Sequence, residues 1–271
     1  MLLPGQSRPA SRKFNQAVAE VQAGLGRRLV FSSLSQQTDV RLRDLRVGGY
    51  HDSTDGEERV WLDDALPYTA QEATAAHELA HVIQSREGYP RAYSIMNEQG
   101  EPLFPALERL AARATNLVLD ESADLWAISR GFDMGKALSA IGLNGLIRDI
   151  SGRETPAEAI DWESYYASLE TLALEIKSGR RPDKSSSIGA EAGTQATALD
   201  YAGLSLRLER YGLFGRLDTL WAERWPVSRG MGQEMAAIVT RDGVQSGDAC
   251  RRTLGEIIAY LRVPSPLLGI K

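Results

Sequence analysis

The chain contains little cysteine and little histidine, which restricts the disulfides and the metal or catalytic sites that it can form. Cys250 is the single cysteine among 271 residues, so no disulfide can form within the chain. A chain without disulfides suits a reducing compartment, and we expect a cytoplasmic protein. We expect Cys250 to be a small buried hydrophobic residue rather than a nucleophile or a metal ligand.

Two further features are missing, an apolar run long enough to cross a bilayer and a surplus of basic residues. The first residues also lack the apolar core of a signal peptide, so we expect no cleavable export signal. The formal net charge is -5, and no basic block gives electrostatic support for nucleic-acid binding. We therefore expect neither a membrane nor a nucleic acid as a partner.

Two of the three histidines lie in one short motif, His77-Glu78-Leu79-Ala80-His81. Residues four apart lie on one face of a helix, about one turn from each other, so both imidazoles can reach one zinc ion. Glu78 follows the first histidine directly and can accept a proton from a metal-bound water. A hydrolase uses this arrangement to make hydroxide at neutral pH.

The residues around the motif favour a buried helix. Thr69 and Glu72 have the spacing of a capping box, and apolar residues continue from there until Gly88 and Pro90. Histidine and glutamate side chains need partners when they are buried, and a metal ion supplies one. The alternative is a polar patch on an ordinary amphipathic helix, but we interpret the motif as a metal site.

Hydrophobic periodicity predicts a mostly helical α+β chain with a small N-terminal sheet. Residues 183–197 are rich in serine, glycine and alanine, which predicts a flexible segment. We expect a core domain over residues 1–150 and a helical C-terminal region over residues 151–271. The predicted strands are 29–31, 45–50 and 58–62, with a turn at 52–57, and the predicted helices are 11–26, 70–87, 104–130, 133–150 and 157–178, followed by short helices from 199 to 262.

A catalytic zinc usually has a third protein ligand and leaves the fourth position to water. No histidine follows the motif, and we interpret His51 as a surface residue in an apparent turn, so we expect a carboxylate as the third ligand. The helix at 104–130 carries Asp120, Glu121 and Asp124 among apolar residues, where unpaired acids are costly. The apolar stripe of this helix leaves both Asp120 and Glu121 open as the ligand. We favour Asp120 because it lies about one turn from Asp124.

A different interpretation of the same acids involves no metal. In that case Glu121 is solvated, while Asp120 and Asp124 pair with arginines from other elements, since most charged side chains face water.

The segment from Asp120 to Ala127 resembles the second metal-site helix of gluzincin-type metallopeptidases. In several such families this helix carries E-x-x-A-D or E-x-x-A-N, followed by an aromatic residue and an alanine. The first acid binds zinc, and the last residue hydrogen-bonds a ligand histidine. Here aspartate stands where glutamate is usual, and Asn116 matches a variant frame with an asparagine four residues before an aspartate ligand. The resemblance covers about residues 45–135. The chain also resembles small intracellular, minigluzincin-like peptidases in its overall size and in its order of strands followed by two helices.

The resemblance implies a zincin-like core with a small N-terminal sheet, the motif helix and a second metal-site helix. In the usual zincin order the strand before the motif helix forms the rim of the cleft, which implies this place for residues 59–62. A strand that packs on the helix without forming a rim is the alternative.

The resemblance also implies a zinc-dependent metallopeptidase that binds one Zn²⁺ per chain through His77, His81 and Asp120. Glu78 is then the catalytic base acting on a zinc-bound water, and Asp124 holds one histidine ring in orientation. The implied substrate is a peptide or a protein. Two alternatives are a zinc hydrolase of a non-peptide substrate and a catalytically degenerate zincin-fold module that binds or regulates a partner.

Overall fold

The computed structural model describes residues 1–37, 48–54, 56–141, 161–180 and 189–271. This part of the chain is α+β and mostly helical, as predicted. In chain order its elements are α1 (Arg12–Ala23), β1 (Arg28–Ser33), β2 (Gly49–Thr54), β3 (Glu57–Leu62), α2 (Tyr68–Arg86), β4 (Ala92–Ser94), α3 (Pro105–Ser129), α4 (Met134–Ile141), α5 (Trp162–Lys177), α6 (Gly189–Glu209), α7 (Gly215–Arg224), α8 (Pro226–Asp242), α9 (Gly247–Leu261) and β5 (Leu268–Ile270).

Contacts between residues divide the chain into two compact units. The first unit comprises Met1–Gly88 and Ser122–Gly152, and the second comprises Tyr89–Glu121 and Arg153–Lys271. The division falls inside α3, which is one continuous helix. Residues 89–121 are grouped with the C-terminal region, and β4 within them pairs with β5 near the end of the chain. The boundary expected at residue 150 stays a prediction.

The first unit is built around α2, which packs against α1, β2, β3 and α4. Buried residues, polar as well as apolar, lie on all sides of this helix and not along a single stripe. The prediction of a buried motif helix is therefore confirmed.

The predicted capping box of α2 is wrong. The helix begins at Tyr68, and no side chain caps it. Glu72 lies beyond the first turn, where its Oε1 accepts a hydrogen bond from the Ser11 backbone nitrogen at 2.6 Å and another from the Tyr68 hydroxyl at 2.6 Å. A side chain expected to cap its own helix thus stabilises the start of α1.

The three-stranded sheet has β3 at its centre, parallel to β1 and antiparallel to β2. Residues 59–62 therefore do not form a rim, because both edges of β3 are already paired. The predicted turn at 52–57 is also wrong at Asp52, Ser53, Thr54 and Glu57, which belong to β2 and β3. Pairing between the strands outweighs the weak strand preference of these polar residues. Residues 45–47, part of the predicted second strand, lie outside the described residues.

In the second unit, α6 and α8 approach each other closely at Gly232. A Cβ atom at this position would lie 2.5 Å from Tyr201 Cδ1 and 2.7 Å from the Ala198 carbonyl oxygen. Residues 189–197 form the first turns of α6 and not a loop, while residues 183–188 of the segment predicted to be flexible lie outside the described residues. The small residues that suggested a linker instead allow close helix packing, and Ala192 is buried.

Several helix predictions are confirmed, including α1 and α3. Pro105 is the first residue of α3, and Gly131 follows its end with a positive φ of 77°. The predicted helix at 133–150 is described only as far as Ile141, and residues 157–160 of the next one also lie outside the described part. No helix in the described ranges is long and apolar enough to cross a membrane.

Candidate metal centre

The two motif histidines face each other on α2. His77 is 7% exposed, His81 is half-buried, and the Nε2 atoms of the two rings lie 3.0 Å apart. Spacing of four residues on a helix brings the rings together, with their centroids 4.6 Å apart. The motif therefore presents two imidazole nitrogens at one point.

Asp124 contacts the first of these rings. Its Oδ1 lies 2.6 Å from Nδ1 of His77, and its side chain is fully buried. An ionised carboxylate can only accept a hydrogen bond, so the proton of the neutral ring lies on Nδ1. Nε2 of His77 then carries a lone pair that points towards His81.

Gln84 has the corresponding place beside the second ring. Its Oε1 lies 2.7 Å from Nδ1 of His81, and the residue is 4% exposed. The sequence analysis did not select Gln84. The available signal was a polar residue three positions after His81 on a helix expected to be buried.

The two rings fit a tetrahedral metal ion. Each Nδ1 atom lies beside an oxygen, and protons on both Nδ1 atoms would leave both Nε2 atoms, 3.0 Å apart, as acceptors. Two nitrogens at about 2.0–2.1 Å from a tetrahedral zinc ion lie roughly 3.3 Å from each other. Facing lone pairs repel at this distance, whereas a cation between them binds both.

The adjacent acids Asp120 and Glu121 have different surroundings. Glu121 is 5% exposed and pairs with Arg210, whereas Asp120 is half-buried with Oδ2 at 3.5 Å from Nη1 of Arg207. The metal-free interpretation is therefore wrong for Glu121, which α3 carries on a buried face, and for Asp124, which contacts His77, whereas Asp120 does pair with an arginine. Successive helical residues point about 100° apart, which accounts for the separate partners.

A carboxylate can join the histidines through α3, because Asp120 precedes Asp124 by one turn of this helix. Ligand atoms of His77, His81 and Asp120 all lie within 4.8 Å of one another. Two imidazoles and one carboxylate are a donor set typical of catalytic zinc, which also keeps one position open.

Two other residues from the sequence analysis have definite positions. Cys250 is fully buried with Sγ 3.4 Å from the Val244 carbonyl oxygen, which confirms the prediction of a buried hydrophobic residue. His51 lies in β2 and is half-buried with Nε2 3.4 Å from a Glu58 carboxylate oxygen, so its prediction as a surface residue in a turn is wrong.

Glu78 completes the residues named from the motif. It is 7% exposed and follows His77 on α2, so the chain buries a carboxylate directly beside the first histidine. Comparison of the chain with protein-family models, with curated proteins and with solved structures gives no match.

Proposed function

We propose that the protein is a zinc-dependent hydrolase that uses His77, His81 and Asp120 as ligands. The observation that carries this proposal is the convergence of the two Nε2 atoms at 3.0 Å, each in a ring whose Nδ1 already has an oxygen partner. Three protein ligands leave one coordination position to water or substrate, as catalytic rather than structural zinc sites do.

The side chains around the ligands have separate roles in this reaction. When bound, zinc lowers the pKa of water and polarises the carbonyl group that is attacked. Glu78 accepts a proton from the attacking water and donates it to the leaving group. Asp124 holds His77 in the tautomer and orientation that expose Nε2.

The substrate class comes from the resemblance to gluzincins. The H-E-x-x-H motif and the segment from Asp120 to Ala127 are typical of metallopeptidases, so we propose a peptide or protein substrate and a zincin-like core. The central position of β3 means that an extended peptide must bind at a place other than residues 59–62.

Metal content measured by elemental mass spectrometry tests the site. We expect near-stoichiometric zinc in the purified wild type and in His51→Ala, whose histidine lies outside the motif. We expect His77→Ala to lose the metal, since one ligand is removed. A folded wild type that takes up no zinc after incubation with the ion would contradict the proposal.

Hydrolysis of casein and of a panel of quenched peptides tests the reaction. Glu78→Gln keeps the shape of the side chain but cannot accept the proton, so we expect it to retain zinc and to lose about 10²- to 10⁴-fold in rate. A Glu78→Gln variant with full activity would exclude Glu78 as the base. Zinc-dependent hydrolysis of ester substrates with no cleavage of any peptide would favour a non-peptide substrate.

A further inference from the structure

We propose that Gln84 is a positioning residue that makes His81 a metal ligand by fixing its tautomer. The effect on zinc binding rests on the proposed function, whereas the tautomer of His81 is a property of the metal-free chain. A neutral imidazole has one N–H group and one lone pair, and only the lone pair can bind a cation. The group at Nδ1 therefore decides whether Nε2 is available.

The position of Gln84 suits this role. Its Oε1 lies 2.7 Å from Nδ1 of His81, and both residues belong to α2, so no other element has to move for the contact to form. Gln84 is 4% exposed, which limits competition from water at its end of the hydrogen bond. An oxygen acceptor at this distance holds the proton on Nδ1 and leaves Nε2 directed at the Nε2 of His77, 3.0 Å away.

The two histidines thus have partners of different charge. His77 donates to the carboxylate of Asp124, and His81 donates to a neutral amide. A charged acceptor makes a stronger hydrogen bond and raises the basicity of the ring more than a neutral one does. His81 is therefore the weaker of the two nitrogen ligands. The amide of Gln84 supports zinc binding by His81, but less strongly than a carboxylate at the same position would.

Long-range ¹H–¹⁵N correlation spectra of the metal-free full chain read the tautomer directly. The chain has three histidines, so each ring gives a separate pattern, and His51 serves as an internal reference. We expect His81 in the Nδ1–H form in the wild type and a substantial Nε2–H population in Gln84→Leu. An Nε2–H ring for His81 in the wild type would overturn the proposal.

Gln71 supplies the matched control. It is a fully buried glutamine on the same helix, and its amide donates to the backbone carbonyl oxygens of Pro4 and Asp63 at 2.8 and 3.2 Å. Gln71→Leu removes the side-chain hydrogen bonds of a buried glutamine, as Gln84→Leu does, so it reports the general cost of this change. We expect it to leave the tautomer of His81 unchanged, and an equal effect of both variants would overturn the proposal.

Competition with a chromogenic chelator measures the zinc affinity of the wild type and of the Gln84 and Gln71 variants. We expect Gln84→Leu to bind zinc about 10- to 100-fold more weakly, and Gln84→Glu to bind at least as tightly as the wild type. Unchanged affinity in Gln84→Leu would contradict the role of Gln84. A wild type that binds no zinc would instead defeat the proposed function, and the tautomer spectra would still decide the positioning role.

Discussion

Nδ1 of His77 and Oδ1 of Asp124 lie 2.6 Å apart, although 47 positions separate the two residues in the chain. The contact joins the middle of α2 to the C-terminal part of α3, and both residues belong to the first compact unit. It gives the first motif histidine a charged, fully buried partner. The tautomer of His77 therefore depends on a residue outside the motif.

Replacement of Asp124 by asparagine tests this dependence. The amide keeps the size of the carboxylate but removes the charge that favours Nδ1–H, so we expect zinc affinity to fall about 10- to 100-fold. Chelator competition provides the measurement, and circular dichroism shows whether the helices remain. Wild-type affinity in Asp124→Asn would mean that the buried carboxylate has only a structural role.

Asp120 and Glu121 allow a comparison of neighbouring acids. We expect Asp120→Ala to lose most of the bound zinc because a ligand is removed, and Glu121→Ala to keep it. We expect Glu121→Ala to lower the free energy of unfolding by about 1 kcal/mol instead, since it removes the ion pair between the buried Glu121 and the exposed Arg210.

Metal analysis and urea unfolding of the two variants measure these effects side by side. Loss of zinc in Glu121→Ala with full occupancy in Asp120→Ala would reverse the assignment of the third ligand.

Gly232 is expected to tolerate no side chain, in contrast to Gly230 on the same helix. A Cβ on Gly232 would meet Tyr201 and the Ala198 carbonyl oxygen at less than 3 Å, whereas a Cβ on Gly230 meets nothing within 4 Å. We expect Gly232→Ala to destabilise the fold by about 1–3 kcal/mol through overpacking. Gly230→Ala should be neutral or stabilise it by up to about 1 kcal/mol, because alanine favours a helix.

Urea unfolding at one pH compares the two glycine variants. Equal free energies of unfolding for both would mean that α6 and α8 can separate at little cost.

Asp218 is expected to make stability depend on acid pH. Hydrogen bonds from Arg229 hold the pKa of its carboxyl below the usual 3.8, helped by a hydrogen bond from the Tyr201 hydroxyl and opposed by burial. A pKa lowered by folding adds stability above 3.8, and this contribution is lost as the pH falls through the folded-state value. We therefore expect the wild type to lose more free energy of unfolding below pH 3.8 than Asp218→Asn does.

Urea titrations at neutral pH and at a series of acidic pH values measure this difference. Equal losses of the free energy of unfolding in the wild type and in Asp218→Asn would show that Asp218 does not contribute to the loss of stability at acidic pH.

Local sequence patterns determined the elements that depend on neighbouring residues. Short apolar segments predicted β1 and β3, while Pro105 and Gly131 marked the ends of α3. The spacing of His77 and His81 by itself placed both rings on one helical face. In each case the signal lies within a few positions of the residue that it describes, because turns, caps and helix faces are local features.

Tertiary structure decided every feature that depends on distant partners. The central position of β3 arises from pairing with both β1 and β2, and the partner of Glu121 is an arginine 89 positions away. Residues 189–197 have the composition of a linker but fold as the start of α6, whose small residues pack closely against other parts of the chain. A local pattern predicts which side chains share one face of a helix or strand. Only long-range packing determines which distant residues contact that face.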